Sequence, residues 1–262
     1  MGQGAVAVKT DGTLWTWGYN NSGSLGLNNT TSYSSPKQVG ALTAWSKVSA
    51  SCEAASFTLA IKTDGTLWSW GNNVNGQLGL GGNTQRNSPV QVGALTTWST
   101  VSAGWQFSQA VKTDGTLWGW GFNYYGQIGN GTSSPTVYVA TPLQIGALTT
   151  WSSVFARGNS SIALRTTGQL WTWGRNINGD LGLGNTTGYS SPKQVGTLTN
   201  WSKLTAGGQF MQAVKTDGTL WSWGINTNGQ LGLGNLTSYS SPKQVGALAT
   251  WTAVSAGPGF VL

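Results

Sequence analysis

Lys62–Gly79 reads KTDGTLWSWGNNVNGQLG, and this stretch decides the fold because it recurs. Its head, K-T-D-G-T-L-W-x-W-G, returns at Lys9–Gly18, Lys112–Gly121 and Lys215–Gly224, with a diverged copy, RTTGQLWTWG, at Arg165–Gly174. An N-x-x-G-x-L/I-G stretch follows each head, at Asn20–Gly26, Asn73–Gly79, Asn123–Gly129, Asn176–Gly182 and Asn226–Gly232. A P-x-Q-V/I-G segment then begins at Pro36, Pro89, Pro142, Pro192 and Pro242, and a W-x-x-V/L-x-A segment at Trp45, Trp98, Trp151, Trp201 and Trp251. Self-similarity at a fixed period of this size is the mark of a repeat architecture.

The turn glycines Gly12, Gly65, Gly115, Gly168 and Gly218 are separated by 53, 50, 53 and 50 residues. The unit is therefore about 50 residues, with three-residue insertions near Ser51–Ala54 and within Thr132–Thr141. Short apolar runs punctuated by 40 glycines exclude long helices and point to strands. In the copy that begins at Trp98 the pattern predicts strands at Ser99–Ala103, Ser108–Lys112, Thr116–Gly121 and Pro142–Ile145. The Asp-Gly pair between the second and third suits a tight hairpin, since such turns need positive φ. Side chains alternate along a strand, so the two Trp of W-x-W share a face opposite a small residue. Ten such Trp would contribute on the order of 40–60 kcal/mol at most if buried, which favours packing over an exposed ligand platform.

These features predict an all-β, five-bladed β-propeller filling residues 1–262 as a single domain of five repeats of about 50 residues. The step from Gly218 through Leu262 and on to Gly12 is 56, close to one more repeat. The expected closure therefore pairs a C-terminal strand at Val254–Ala256 with an N-terminal strand at Ala5–Lys9, which removes exposed strand edges at the seam.

The run Asp64–Gly79 and the VSAGWQF stretch at Val101–Phe107 resemble the regulator of chromosome condensation repeat family, and the resemblance recurs five times along the chain. It implies a propeller. Members are typically seven-bladed, whereas this chain carries five units, and many carry a His where Phe57, Phe107, Ile162, Phe210 and Phe260 stand here. No functional segment of the family's exchange factor matches residue by residue, so the resemblance implies fold and no site.

The chemistry that remains is narrow. The chain has no His and one Cys, Cys52, which removes the usual general base, Ser-His-Asp and Cys-His arrangements and thiolate metal clusters. Four of its six acids are the Asp of the repeated turns, leaving Glu53 and Asp180 as the idiosyncratic pair. No catalytic residue, metal site or cofactor is expected, and the chain reads as a non-enzyme. Lys and Arg outnumber acids 13 to 6 but form no basic run, which argues against specific nucleic-acid binding. No apolar stretch approaches the length of a membrane span, so no membrane insertion is expected. No secretory signal is visible, which suggests a cytoplasmic or particle-associated setting.

The expected function is a non-catalytic interaction module that binds a protein partner through one propeller face. The first and third connections of each repeat collect the residues that differ between copies: Glu53, Trp105, Tyr124, Tyr125, Arg157, Arg175 and Asp180 are the candidate contacts. The opposite side repeats the Asp-Gly turns and a ring of positive charges at Lys9, Lys62, Lys112, Arg165 and Lys215, expected to be solvated. Two alternatives stand beside this. One is a multivalent glycan-binding lectin with equivalent pockets between blades. The other is a structural component of a virion or other large particle.

Overall fold

A computed structural model describes residues 4–51, 56–134 and 136–256. These form five antiparallel sheets and no helix among the described residues. The first sheet has three strands, β1 (Gly4–Val8), β2 (Leu14–Gly18) and β3 (Tyr33–Gln38). Four sheets of four strands follow, each built up-and-down in chain order. The second holds β4 (Trp45–Ala50), β5 (Phe57–Lys62), β6 (Leu67–Gly71) and β7 (Arg86–Gln91). The third holds β8 (Trp98–Ala103), β9 (Phe107–Lys112), β10 (Leu117–Gly121) and β11 (Val139–Gln144). The fourth holds β12 (Trp151–Arg157), β13 (Ser160–Arg165), β14 (Leu170–Gly174) and β15 (Tyr189–Gln194). The fifth holds β16 (Trp201–Ala206), β17 (Phe210–Lys215), β18 (Leu220–Gly224) and β19 (Tyr239–Gln244). Two compact units divide them: Met1–Asn123 with Thr136–Thr149, and Tyr124–Pro135 with Thr150–Leu262.

The expected strands of the third sheet are present, with one shift. Its fourth strand begins at Val139, three residues before Pro142, because the ladder is irregular between Gly119 and Gly121 and brings Gly121 opposite Val139. Pro142 sits within this strand without cost to the ladder, since β11 is an edge strand and no N–H is needed on its open side.

The W-x-W-G strands are third in the full sheets, and their Trp residues pack the core. Trp70, Trp120, Trp173 and Trp223 are fully buried. Trp98 stands edge-on to Trp118 and Trp120 at 5.8 and 6.1 Å, and Trp201 meets Trp221 and Trp223 in the same way at 6.1 and 6.2 Å. The small residue between each pair faces the other way. Ser69 and Ser222 donate from their hydroxyls to the Leu78 and Leu231 carbonyls at 2.8 and 2.7 Å, fastening the third connection to its own sheet.

Consecutive sheets within each unit join through a repeated contact. The Trp70 indole donates to the Ser24 carbonyl at 2.9 Å, and Trp120 donates to Gln77 O at 2.9 Å. In the second unit Trp173 donates to Gln127 O and Trp223 to Asp180 O, at 2.9 and 3.0 Å. The glycine two residues beyond each acceptor makes room for the ring. At Gly182, which has φ of 71°, an added Cβ would lie 2.6 Å from Trp223 Nε1. Loop 124–135 belongs to the second unit for this reason: Gln127 O also accepts from Ser161 Oγ, and Gly131 N donates to Ser190 O.

The expected closing strand is not seen among the described residues. Residues 251–256 have no regular structure, and the first sheet keeps three strands. The tail makes the bonds to the preceding repeat that the paired Trp strands also make: Trp251 N donates to Gly218 O at 3.1 Å, as Trp98 N does to Gly65 O, and Ala256 N donates to Thr205 Oγ1 at 3.1 Å, as Ala103 N does to Ser49 Oγ. Trp17, unlike its four counterparts, is only half-buried.

Candidate protein-interaction surface

The third connections are long but tightly built, and a buried Asn holds four of them. Asn73, buried to 1%, accepts from Leu78 N at 2.9 Å and donates to Gly82 O and Thr84 O at 3.0 and 3.1 Å. Asn20, Asn176 and Asn226 repeat the arrangement with Leu25, Leu181 and Leu231. A carboxamide suits this post because it offers two donors and an acceptor to backbone groups that would otherwise be unpaired.

The residue after each such Asn points out of the loop. Val74 is 54% exposed, Tyr124 46% and Ile177 59%. In the second unit this builds a cluster. Tyr124 and Tyr125 meet edge-to-face at 4.5 Å, and the Arg175 guanidinium lies 5.6 Å from the Tyr125 ring. The loop beneath is fixed, since Tyr125 N donates to Gln127 Oε1 at 2.8 Å and Gln127 Nε2 reaches Asn159 Oδ1 at 3.4 Å. Exposed aromatic groups beside a half-buried Arg on a rigid base match the residue types that dominate interaction energies, and the rigidity limits the entropy lost on binding.

The other sequence candidates fall in different places. Trp105 is half-buried on the first connection of the third sheet, next to Gln106, whose φ of 63° is unusual for a residue with a side chain. Gln106 is held there: its carbonyl accepts from Phe122 N at 2.8 Å and its side chain from Asn75 Nδ2 at 2.9 Å. Arg157 is half-buried at the end of β12, and among the described residues its buried Nε has no acceptor. Glu53 lies outside the described residues.

Asp180 is not a surface group. It is 4% exposed, and its backbone carbonyl takes the Trp223 indole in the joint between sheets. Burial pushes its carboxyl up to about 6, against the opposing pull of hydrogen bonds from its own and the Asn178 backbone and from Ser160, and of the Arg175 charge. Sequence comparison of the repeats placed Asp180 among loop residues, whereas Gln77 and Gln127 at the same repeat position are also fully buried. Val74 and Ile177 were missed. Their signal was the variable position directly after the buried Asn.

The expected solvated ring of cations needs correction as well. Lys112 and Lys215 are only 7% exposed. The Lys62, Lys112 and Lys215 ammonium groups lie 3.6, 3.7 and 3.7 Å from the ring centroids of Trp68, Trp118 and Trp221. Burial holds all three below the ordinary lysine range. Lys9, in the first sheet, pairs instead with Asp11 at 3.0 Å.

With this geometry in hand, comparison with known proteins identifies the class. The profile of the RCC1-like domain matches residues 2–262, and the chain belongs to that family. Its fold is accordingly an all-β propeller, with the five sheets as blades. Human E3 ubiquitin-protein ligase HERC2 is 29% identical over 198 residues, covering 71% of this chain and 4% of that protein. The Arabidopsis thaliana ultraviolet-B receptor UVR8 is 31% identical over 184 residues, covering 69% of this chain and 41% of its own. Among solved structures, human WBSCR16 superposes with a TM-score of 0.85 at 22% identity over 98% of this chain and 68% of that one. Saccharomyces cerevisiae Prp20p, studied for its binding to Gsp1p and histones, gives 0.84 at 20% identity over 98% and 65%. The chain thus spans a small part of HERC2, under half of UVR8 and about two thirds of the two solved structures.

Proposed function

We propose that this chain is a non-catalytic protein-interaction module that binds through the blade side carrying the first and third connections. The observation that carries the reading is the placement of Val74, Tyr124 and Ile177 at one repeat position, each about half exposed directly after a buried Asn, which for Val74 and Ile177 pins the loop from beneath. Tyr125 and Arg175 extend the patch in the second unit, and Trp105 is the matching candidate in the first. The binding of Gsp1p and histones by Prp20p, a protein of the same fold, supports a protein as the partner class. The composition favours a non-catalytic role, since the chain has no His and one Cys.

The test uses the full chain as immobilised bait, with each retained protein purified and titrated against variants. Tyr125→Ala and Ile177→Ser are expected to weaken a specific partner by about thirtyfold each if they are anchors, equivalent to about 2 kcal/mol. Lys9→Ala, on the side of the Asp-Gly turns and 56% exposed, is expected to leave affinity unchanged. A partner that loses affinity with Lys9→Ala and keeps it with the other two would place binding on the wrong side and overturn the reading.

A further inference from the structure

The first and fifth sheets each carry one half of a joint that is complete elsewhere in the chain. In a complete joint a Trp donates its indole N–H to a loop carbonyl, and the glycine two residues beyond that carbonyl makes room for the ring. Those glycines, Gly26, Gly79, Gly129 and Gly182, are all buried. Gly232 holds the same place in the third connection of the fifth sheet, yet it is exposed. Among the described residues an added Cβ there would meet only Val245, at 3.4 Å. Gln230, at the position of the accepting carbonyl, is half-buried, whereas Gln77 and Gln127 are fully buried. The first sheet shows the converse: Trp17 stands where Trp70, Trp120, Trp173 and Trp223 stand, but it is only half-buried. One sheet has a seat without a ring, and the other has a ring without a seat.

Two more features complete the match. β3, β15 and β19 share the sequence YSSPKQ, yet β3 is exposed at five of its six residues, β15 at one and β19 at two. A preceding loop covers the latter two, with Gly131 N and Gly184 N donating to Ser190 O and Ser240 O at 2.8 and 2.7 Å, and no such bond reaches β3 among the described residues. β1 pairs with β2 in the register of β5 with β6, so among the described residues the first sheet lacks the W-x-x-V/L-x-A strand that opens the others. Trp251–Ala256 carries that pattern without a paired strand, and Trp251 is 40% exposed where Trp45, Trp98, Trp151 and Trp201 are 2–3% exposed.

We propose that these two halves join head to tail between copies of the chain. Trp17 of one copy donates to Gln230 O of another and fills the space over Gly232, and Ser34 O accepts from Gly234 N. Trp251–Ala256 adds to the open edge of β1 with Val254 opposite Ala7, as Val48 lies opposite Ala60 in the second sheet. The occupant of such a seat must present a W-x-W-G strand beside a YSSPKQ strand, and the first sheet of this same sequence does so. The two surfaces differ, so the contact is heterologous and each copy keeps a free half for the next. Mass action governs it, so the dilute chain keeps Gly232 uncovered.

The test uses two full chains, both with Cys52→Ser, one with Ala7→Cys and the other with Val254→Cys. Opposed residues of an antiparallel pair lie about 4.5–5.5 Å apart between Cα atoms, within reach of a disulfide. Oxidising the mixture is expected to give a cross-linked heterodimer at a yield at least about tenfold above that of either chain alone. Gly232→Ala in the Val254→Cys chain puts a methyl group in the place of the Trp17 ring and should cut that yield by about tenfold. Trp17→Phe in the Ala7→Cys chain keeps an aromatic ring and removes the N–H, so it should lower the yield even if Gly232→Ala folds poorly. Sedimentation of the unaltered chain from about 1 to 200 µM should show a rising mass. The mass of a single chain throughout, or no heterodimer beyond the controls, would overturn the proposal. So would a chain bearing both cysteines that closes on itself as a monomer, since its own tail would then fill the β1 edge. None of these residues belongs to the Tyr125 patch, so either outcome leaves that reading untouched.

Discussion

Asp64, Thr66 and Trp68 form a short relay that explains why the head of each repeat reads D-G-T-L-W. Asp64 Oδ1 accepts from Thr66 N and Thr66 Oγ1 at 2.9 and 2.6 Å, and Thr66 Oγ1 accepts from Trp68 Nε1 at 2.9 Å. These bonds hold the Asp64 carboxyl below its usual range. The diverged fourth copy replaces Asp and Thr by Thr167 and Gln169, and there the Trp171 indole nitrogen is buried with no acceptor. Restoring the relay with Thr167→Asp and Gln169→Thr together should stabilise the chain by about 1–2 kcal/mol, less what Arg165 loses by giving up Gln169 Oε1. A thermal melt that fails to rise by a few degrees would show that the relay is not worth its position. Asp180 supplies a second test. Its carboxyl titrates near 6 when folded and near 3.8 when not, so above pH 6 the folded state carries a buried charge. That penalty, on the order of 3 kcal/mol, is relieved as pH falls through 6 toward 4, which makes this group favour the folded state at lower pH. Asp180→Asn should therefore raise the urea midpoint most at pH 7.5, about half as much at pH 5, and little near pH 3, below both pKa values. Equal gains at pH 7.5 and pH 3 would mean that ionisation is not the cause.

Among the elements, the joint between successive sheets of a unit is built from Trp indole, backbone carbonyl and glycine, and Trp173 meets loop 124–135 in the same way. Gly182 and Gly232 lie in the near-identical stretches NGDLGLGN and NGQLGLGN and share positive φ values of 71° and 67°. Their surroundings differ. A Cβ on Gly182 would meet Trp223, whereas one on Gly232 would find only Val245 at 3.4 Å. Both alanine substitutions should show the backbone penalty of about 1–2 kcal/mol for a left-handed residue. Gly182→Ala should add about 1–3 kcal/mol for overpacking against the indole. Denaturant titration of the two variants measures the difference, and equal losses would contradict the packing of the joint.

At the scale of the whole molecule, the two chain ends make unequal contributions to what is described. β1 pairs with β2 over five residues and packs beside β4, all within the first unit. Residues 251–256 contribute two backbone hydrogen bonds to the fifth sheet and no strand. Deleting residues 1–8 would leave the first sheet with two strands, which is marginal in water, so a large drop in melting temperature is expected. Deleting residues 251–262 should cost only a few degrees. A comparable loss from both deletions would indicate that the tail completes a sheet, as the repeat spacing suggests.

The repeats made the strands legible because W-x-W-G, Asp-Gly and P-x-Q each encode their structure locally, through side-chain alternation, turn geometry and tolerance of an edge. Tyr124, Tyr125 and Arg175 could be chosen from sequence for a similar reason: they interrupt a pattern that otherwise repeats. The depth of each residue was not legible. Asp180 varies between copies as a surface residue would, yet it is buried beneath the indole of Trp223 from the next sheet. Lys112 and Lys215 look like solvated cations in the sequence, but two Trp rings enclose each ammonium. Short-range hydrogen bonds and periodicity depend on neighbours a few residues away, so sequence determined the elements and their order. Burial depends on groups about 30 to 50 residues distant that close over a side chain, and only the tertiary structure decided that.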